Sequence, residues 1–146
     1  MKILITGGAG FIGSALVLQA ISNGHKIINI DNLTYAGNMQ NLKSIKHNKN
    51  HQFIKTDVCN EKKIFKILQK YKPDSVIHLA ASSHVDNSIN KPIDFMNVNI
   101  LGTYSMVEAC KKYWHQNNFF KKFRFLYIST DEVFGSISGK KQFDEN

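Results

Sequence analysis

With two cysteines in 146 residues, Cys59 and Cys110, the chain has no material for a disulfide framework. Neither cysteine sits in the clustered Cys/His spacing of a zinc site, so no metal is expected. Long hydrophobic runs are missing too: no segment reaches the roughly 18 apolar residues that a spanning helix needs. The apolar opening MKILITGGAGFIGSALVLQAI is interrupted by four glycines and reads as strand, turn and helix, not as a secretory leader. A cytoplasmic location without membrane association is therefore expected. There is no internal repeat, low-complexity tract or linker. There is also no basic stripe, although the formal charge is +8. The lysines are scattered as pairs (Lys62-Lys63, Lys111-Lys112, Lys121-Lys122, Lys140-Lys141) without interleaved aromatics, which argues for a solvated surface and against a nucleic-acid-binding face. Such a surface still favours an anionic ligand through long-range attraction.

What is present is the composition of one globular domain, 42% hydrophobic and 21% charged. Short β-rich runs alternate with amphipathic helical patterns. Lys2–Thr6 predicts a strand, and a glycine turn leads from it to a helix over Phe11–Ser22 that stops at Asn23-Gly24. His25–Ile30 predicts the second strand, Asp31–Gly37 a polar turn followed by a short helical stretch, and Gln52–Lys55 a third strand. Asn60 can cap a helix whose apolar face carries Ile64, Phe65, Leu68 and Tyr71. Ser75–Leu79 predicts a buried strand. The longest helix is expected from Pro92 to about His115, with Phe95, Val98, Met106, Ala109 and Tyr113 on one face and Gly102 marking a close approach. Phe123–Ser129 predicts a fifth strand. Strand alternating with helix implies parallel βαβ units and a Rossmann-like, doubly wound α/β sheet covered on both faces.

Thr6-Gly7-Gly8-Ala9-Gly10-Phe11-Ile12-Gly13 places glycines where this strand must turn into this helix. In such a turn Gly7 permits the tight bend, Gly10 lets a pyrophosphate approach the backbone, and Gly13 lets helix and strand pack closely. The helix N-terminus then offers free N–H groups and a partial positive charge to phosphates. Asp31, at the end of the second strand, lies within the roughly 20-residue offset of a carboxylate that holds ribose hydroxyls. A carboxylate there repels a 2′-phosphate, so the expected ligand is a dinucleotide, NAD in preference to NADP.

The glycine spacing, followed in order by DNLTYAGN (31–38), HLAASSHVD (78–86) and YISTDEVFG (127–135), resembles the extended short-chain dehydrogenase/reductase family, and within it the dTDP-glucose 4,6-dehydratases. The resemblance covers the whole chain. It implies that Phe11 and Ile12 line the pyrophosphate and that Asp31, Asn32, Leu33 and Thr34 hold the adenosine ribose. It further implies that Asp57 and Val58 contact the adenine, that Leu79, Ala80 and Ala81 run beneath the nicotinamide, and that Ser83 faces cofactor and substrate. Core packing is the bland alternative for Leu79–Ala81. For His78 a buried histidine bonded to a backbone group is favoured over a catalytic one.

Asp131 and Glu132 follow the fifth strand, at the carboxyl edge of the sheet where doubly wound folds place ligands. By the resemblance Asp131 is the acid and Glu132 the base that eliminate water from a nucleotide-activated 4-keto hexose, with Thr130 bonding the sugar 4-hydroxyl. One carboxyl must be protonated while the other is ionised, as a confined and desolvated pair arranges for itself. Two departures stand out: Ser82 occupies a position where these dehydratases carry glutamate, and Val98 one where threonine is usual. The family's Tyr-x-x-x-Lys does not occur before Asn146. The expectation is thus a truncated NAD-binding Rossmann domain, residues 1–146, without the C-terminal sugar-nucleotide-binding domain. It should bind NAD without turnover and be poorly soluble alone, and in full length it should form a homodimer through helices. The alternatives are a UDP-sugar epimerase or decarboxylase and a non-catalytic NAD-binding module.

Overall fold

The computed structural model describes residues 1–118, 121–136 and 143, so the Lys140-Lys141 pair lies outside the described residues. Five parallel strands form one sheet: β1 (Lys2–Thr6), β2 (Lys26–Asp31), β3 (His51–Lys55), β4 (Ser75–His78) and β5 (Arg124–Tyr127), in the order β3-β2-β1-β4-β5. The order reverses at β1, which opens a crevice beyond the carboxyl ends of β1 and β4.

Strand alternation sends successive side chains to opposite faces, and each face has its own core. Ile3, Ile5 and Ile27 pack with Val17, Ala20 and Ile21 of α1 (Phe11–Ser22) and with Leu42 and Ile45 of a 3-10 segment, Met39–Ile45. Leu4, Ile28, Ile30 and Val76 pack on the other face with Ile64, Ile67 and Leu68 of α2 (Glu61–Tyr71) and with Met106, Ala109 and Tyr113. The Asn60 side chain accepts from the Lys63 N–H, the cap expected for α2. Lys72 closes that helix in a left-handed conformation, its N–H donating to Leu68.

The long helix differs from expectation. The chain forms α3 (Val85–Asn90), which the polar sequence did not announce, then α4 (Pro92–Met96), a π-helical turn (Asn97–Gly102) and α5 (Thr103–Gln116). The buried face begins at Gly102 and continues through Ser105, Met106, Ala109, Cys110 and Tyr113. Phe95 and Val98, expected on that face, are only half-buried. No residue of α4 is buried among the described residues. Instead Ile93, Met96, Ile100 and Tyr104 form an exposed apolar stripe at helical spacing. β5 is shorter than the Phe123–Ser129 expected, and its Leu126 and Tyr127 are exposed, as is Ile128 just beyond it.

Leu4 is completely buried at the centre of the sheet. Leu4→Ala should therefore lower unfolding stability by about 3 kcal/mol, whereas Asn60→Ala, which removes only the cap of α2, should cost about 1 kcal/mol. Urea titrations followed by circular dichroism would read both values, with equal slopes expected for the two variants.

Candidate functional site

The turn between β1 and α1 is held from three sides. Gly7 has φ +70°, and a Cβ there would lie 2.8 Å from the Ala80 backbone nitrogen. A Cβ on Gly13 would lie 2.1 Å from the Gly7 carbonyl oxygen, so helix and turn are in contact with no room for a side chain. The Asn38 N–H and the Asn41 side chain both donate to the Ala9 carbonyl (3.0 and 2.9 Å). α1 starts without a side-chain cap and without an acidic residue in its first turn. Its first N–H groups therefore have no side-chain cap, the arrangement that suits an anion. Phe11 and Ile12 stand out from this turn, 91% and 66% exposed.

Asp31 lies beside the turn, only 9% exposed, and both its oxygens are engaged. Oδ2 accepts from the Ala9 N–H at 2.9 Å and Oδ1 from the Leu33 N–H at 2.8 Å. The second bond draws Leu33 into a left-handed conformation, φ 55°, so Asp31 shapes the 31–34 loop as well as standing at its base. Each carboxylate oxygen keeps a further lone pair for a hydroxyl. The exposed Asn32 side chain donates to Asp57 Oδ2 at 3.2 Å, joining the loops after β2 and β3, while Thr34 is exposed beside it. Val58 is buried in the core, so of this pair only the half-buried Asp57 side chain reaches the surface of that loop.

Beyond β4, Leu79 and Ala80 are half-buried, and Ala81 and Ser83 are exposed. The polar network behind them was not legible in the spacing. Leu79 and Ala80 both donate their N–H groups to Thr6 Oγ1 (3.2 and 3.1 Å). The Thr6 hydroxyl proton is then free to point only at His78 Nδ1, 2.6 Å away. His78 must carry its own proton on Nε2, where it donates to Thr103 Oγ1 at 3.2 Å. The ring is fully buried, stacked on Tyr127, and burial pushes its pKa down to about 4. His78 is thus a neutral structural histidine as expected, but two threonine hydroxyls, not backbone groups, hold it. Asn99 clamps the next residue from the π turn: its Oδ1 accepts from the Ser82 N–H at 2.8 Å and its Nδ2 donates to the Ser82 carbonyl at 2.9 Å. The pattern that could have revealed these residues is the polar Asn99-x-x-Gly102-Thr103 on either side of the apolar Ile100-Leu101 pair.

Thr130, Asp131 and Glu132 follow β5 at the same edge of the sheet and open a 3-10 turn, Asp131–Phe134. Thr130 Oγ1 donates to Asp131 Oδ1 at 3.2 Å and accepts from the Glu132 N–H at 3.4 Å. All three are exposed, and nothing among the described residues encloses or desolvates the carboxylate pair. The confinement expected for it is therefore not supplied by this part of the fold. Burial pushes the thiols of Cys59 and Cys110 up to about 11 and about 12, so neither is an activated nucleophile. No group of three or more metal-ligating side chains occurs among the described residues, and no helix there is long and apolar enough to cross a membrane.

The family described as GDP-mannose 4,6 dehydratase matches residues 4–146. A dTDP-glucose 4,6-dehydratase of Salmonella typhimurium is 51% identical over 140 residues, 94% of this chain and 39% of that protein. The structure of a dTDP-glucose 4,6-dehydratase from Bacillus anthracis in complex with NAD matches with TM-score 0.83 and 35% identity over 99% of this chain and 42% of its own. A UDP-glucose 4-epimerase from Thermotoga maritima matches with TM-score 0.72 and 38% identity over 86% of this chain and 37% of its own. The chain spans about two fifths of the length of the curated relatives it matches, 39% to 42% for three of them.

His78 should make stability pH-dependent with a definite sign. Its folded pKa lies below the unfolded value of 6.5, so the unfolded chain takes up the proton first. The contribution is fully present above pH 6.5 and is lost as pH falls towards 4, by about 3 kcal/mol in all. His78→Gln should be less stable than the parent at pH 7, and the gap should close on acidification. Parallel stability curves from pH 7 to pH 4 would contradict the assignment.

Proposed function

The chain belongs to the GDP-mannose 4,6 dehydratase family, and from that premise we propose that it binds NAD and carries the acid–base residues of a nucleotide-sugar 4,6-dehydratase acting on dTDP-glucose. One observation carries the reading. The uncapped glycine turn with its adjoining Asp31, and the Thr130-Asp131-Glu132 segment, leave the same edge of the sheet, two strands apart. The residues present fit a dinucleotide: a turn with no room for side chains, free N–H groups at the start of α1, and a carboxylate at the ribose position. A 51% identical dTDP-glucose 4,6-dehydratase supports the choice of reaction, and the NAD complex of a 35% identical one supports the cofactor.

In this reading the first N–H groups of α1, with Phe11 and Ile12, bind the pyrophosphate. Asp31 and the 32–34 loop hold the ribose, Asp57 and Val58 the adenine end, and Leu79–Ala81 with Ser83 the nicotinamide end. Bound NAD would accept a hydride from the sugar carbon 4 and return the same hydride to carbon 6 once water has left, so that the cofactor ends unchanged. Thr130 bonds the 4-hydroxyl. Glu132 takes the proton from carbon 5 while Asp131 gives one to the departing carbon-6 hydroxyl, so that water leaves from neighbouring atoms. Enclosure by substrate and by the rest of a complete enzyme would supply the desolvation that this edge lacks, and with it the separation of the two carboxyls into acid and base. The exposed stripe Ile93, Met96, Ile100 and Tyr104 supports a homodimer joined through these helices. A cytoplasmic setting suits two free thiols.

The test places this chain's residues in the Salmonella typhimurium enzyme in exchange for the matching segment. With dTDP-glucose the hybrid should release a 4-keto-6-deoxy product, seen by NMR. Glu132→Gln should lower kcat by at least about 100-fold with NAD affinity unchanged. A carbon-4 epimer formed without loss of water would show an epimerase, and NAD binding without any product a non-catalytic module. The chain itself should bind NAD at least about tenfold more tightly than NADP, a preference that Asp31→Ser should erase. Ile100→Asp should convert a dimer to a monomer in sedimentation analysis, since it buries an unpaired charge in the interface.

A further inference from the structure

The π turn Asn97–Gly102 touches both loops of the crevice. On one side a Cβ on Gly102 would lie 2.8 Å from Val58 Cγ2, Cys59 Sγ donates to the Asn97 carbonyl at 3.2 Å, and Ser105 Oγ donates to the Cys59 carbonyl at 3.3 Å. On the other side Asn99 pairs with both backbone groups of Ser82, and Thr103 receives the bond from His78. The loop after β3 and the end and following loop of β4 are thus both held by this one helical segment and the start of α5, with the strands β2 and β1 between them in the sheet. π turns are rare and concentrate where function requires a local departure from the α-helix.

Resting on the NAD reading above, we propose that this turn is a wedge that sets the spacing of the two ends of the cofactor crevice, with Asn99 the positioning residue of the nicotinamide side and Gly102 that of the adenine side. The Asn99 amide offers one acceptor and one donor to Ser82, as a neighbouring strand would. That loop has no other partner for these two groups among the described hydrogen bonds, and leaving them unpaired lets it depart from its place. Gly102 acts by lacking a side chain. Any Cβ would press on Val58, and through it on Asp57 and the adenine end.

The two roles separate with ligands that contain or lack the nicotinamide. Asn99→Leu should weaken NAD by about tenfold and leave ADP-ribose within about twofold of the parent. Reduced NAD bound to that variant should lose the fluorescence enhancement of a held nicotinamide. Asn99→Asp keeps an acceptor for the Ser82 N–H and sets an anion against its carbonyl, so it should shift the same ratio in the same direction and carries the test if the leucine variant does not fold. Gly102→Ala should weaken NAD and ADP-ribose by a common factor. Equal losses of both ligands in the Asn99 variants would show a merely structural residue and overturn the proposal, as would no change in either ligand. A parent chain that binds neither ligand would instead overturn the NAD reading before any substitution is made.

Discussion

How closely the chain can approach itself between β1 and α1 governs the rest of this molecule. Gly13 rests on the Gly7 carbonyl, Gly7 faces the backbone of Ala80, and the Ala9 carbonyl receives two asparagines from the following segment. A methyl group at Gly7 or Gly13 would separate surfaces that now touch, and the neighbouring loops take their places from those surfaces. Asp31, the last residue of β2, completes the arrangement by accepting the Ala9 N–H. The turn is therefore the origin from which the crevice is measured as well as a candidate seat for phosphate.

Around that origin the polar interior is economical. A single threonine hydroxyl accepts two backbone N–H groups from the loop after β4, and a neutral imidazole fixes the direction of its proton. Because burial keeps His78 uncharged well below neutral pH, the tautomer and the direction of every bond in the chain from Ala80 to Thr103 stay constant. One orphan remains: Asn29 Oδ1 is buried against Gly8 without a partner among the described residues, while its Nδ2 donates to the Gly8 carbonyl. The close fit at the turn is thus kept at the cost of an unsatisfied acceptor.

The Asp131–Glu132 edge is the opposite case. The backbone bond from Ile128 to His78 and the Thr130 cap give the segment a defined start, yet its side chains stand in solvent. Electrostatic control of two neighbouring carboxylates requires a low-dielectric surrounding, which the described residues do not provide there. The described fold offers a crevice whose walls are made and, beyond β5, an acidic edge that no described residue encloses.

The sequence by itself determined the strands, the helix after the glycine turn, the cap at Asn60, the two-faced core and the turn with its acidic partner. These features depend on local periodicity and on residues near in the chain, where propensity and spacing carry the information. Only the tertiary structure decided the fate of Asn99, Thr103, Thr6 and His78, because their bonds join residues 17 to 74 positions apart in the chain. It decided as well that the long helix would widen into a π turn and that Phe95 and Val98 would leave the core, since a helix pattern read alone does not show which of its apolar residues meet a packing partner. Asp31 shows both limits at once: its place was legible as a carboxylate at the end of a strand, but its two backbone partners became visible only when the turn and the loop were brought to it. Packing chooses among the roles that a side chain's chemistry permits, and packing is a property of the whole chain.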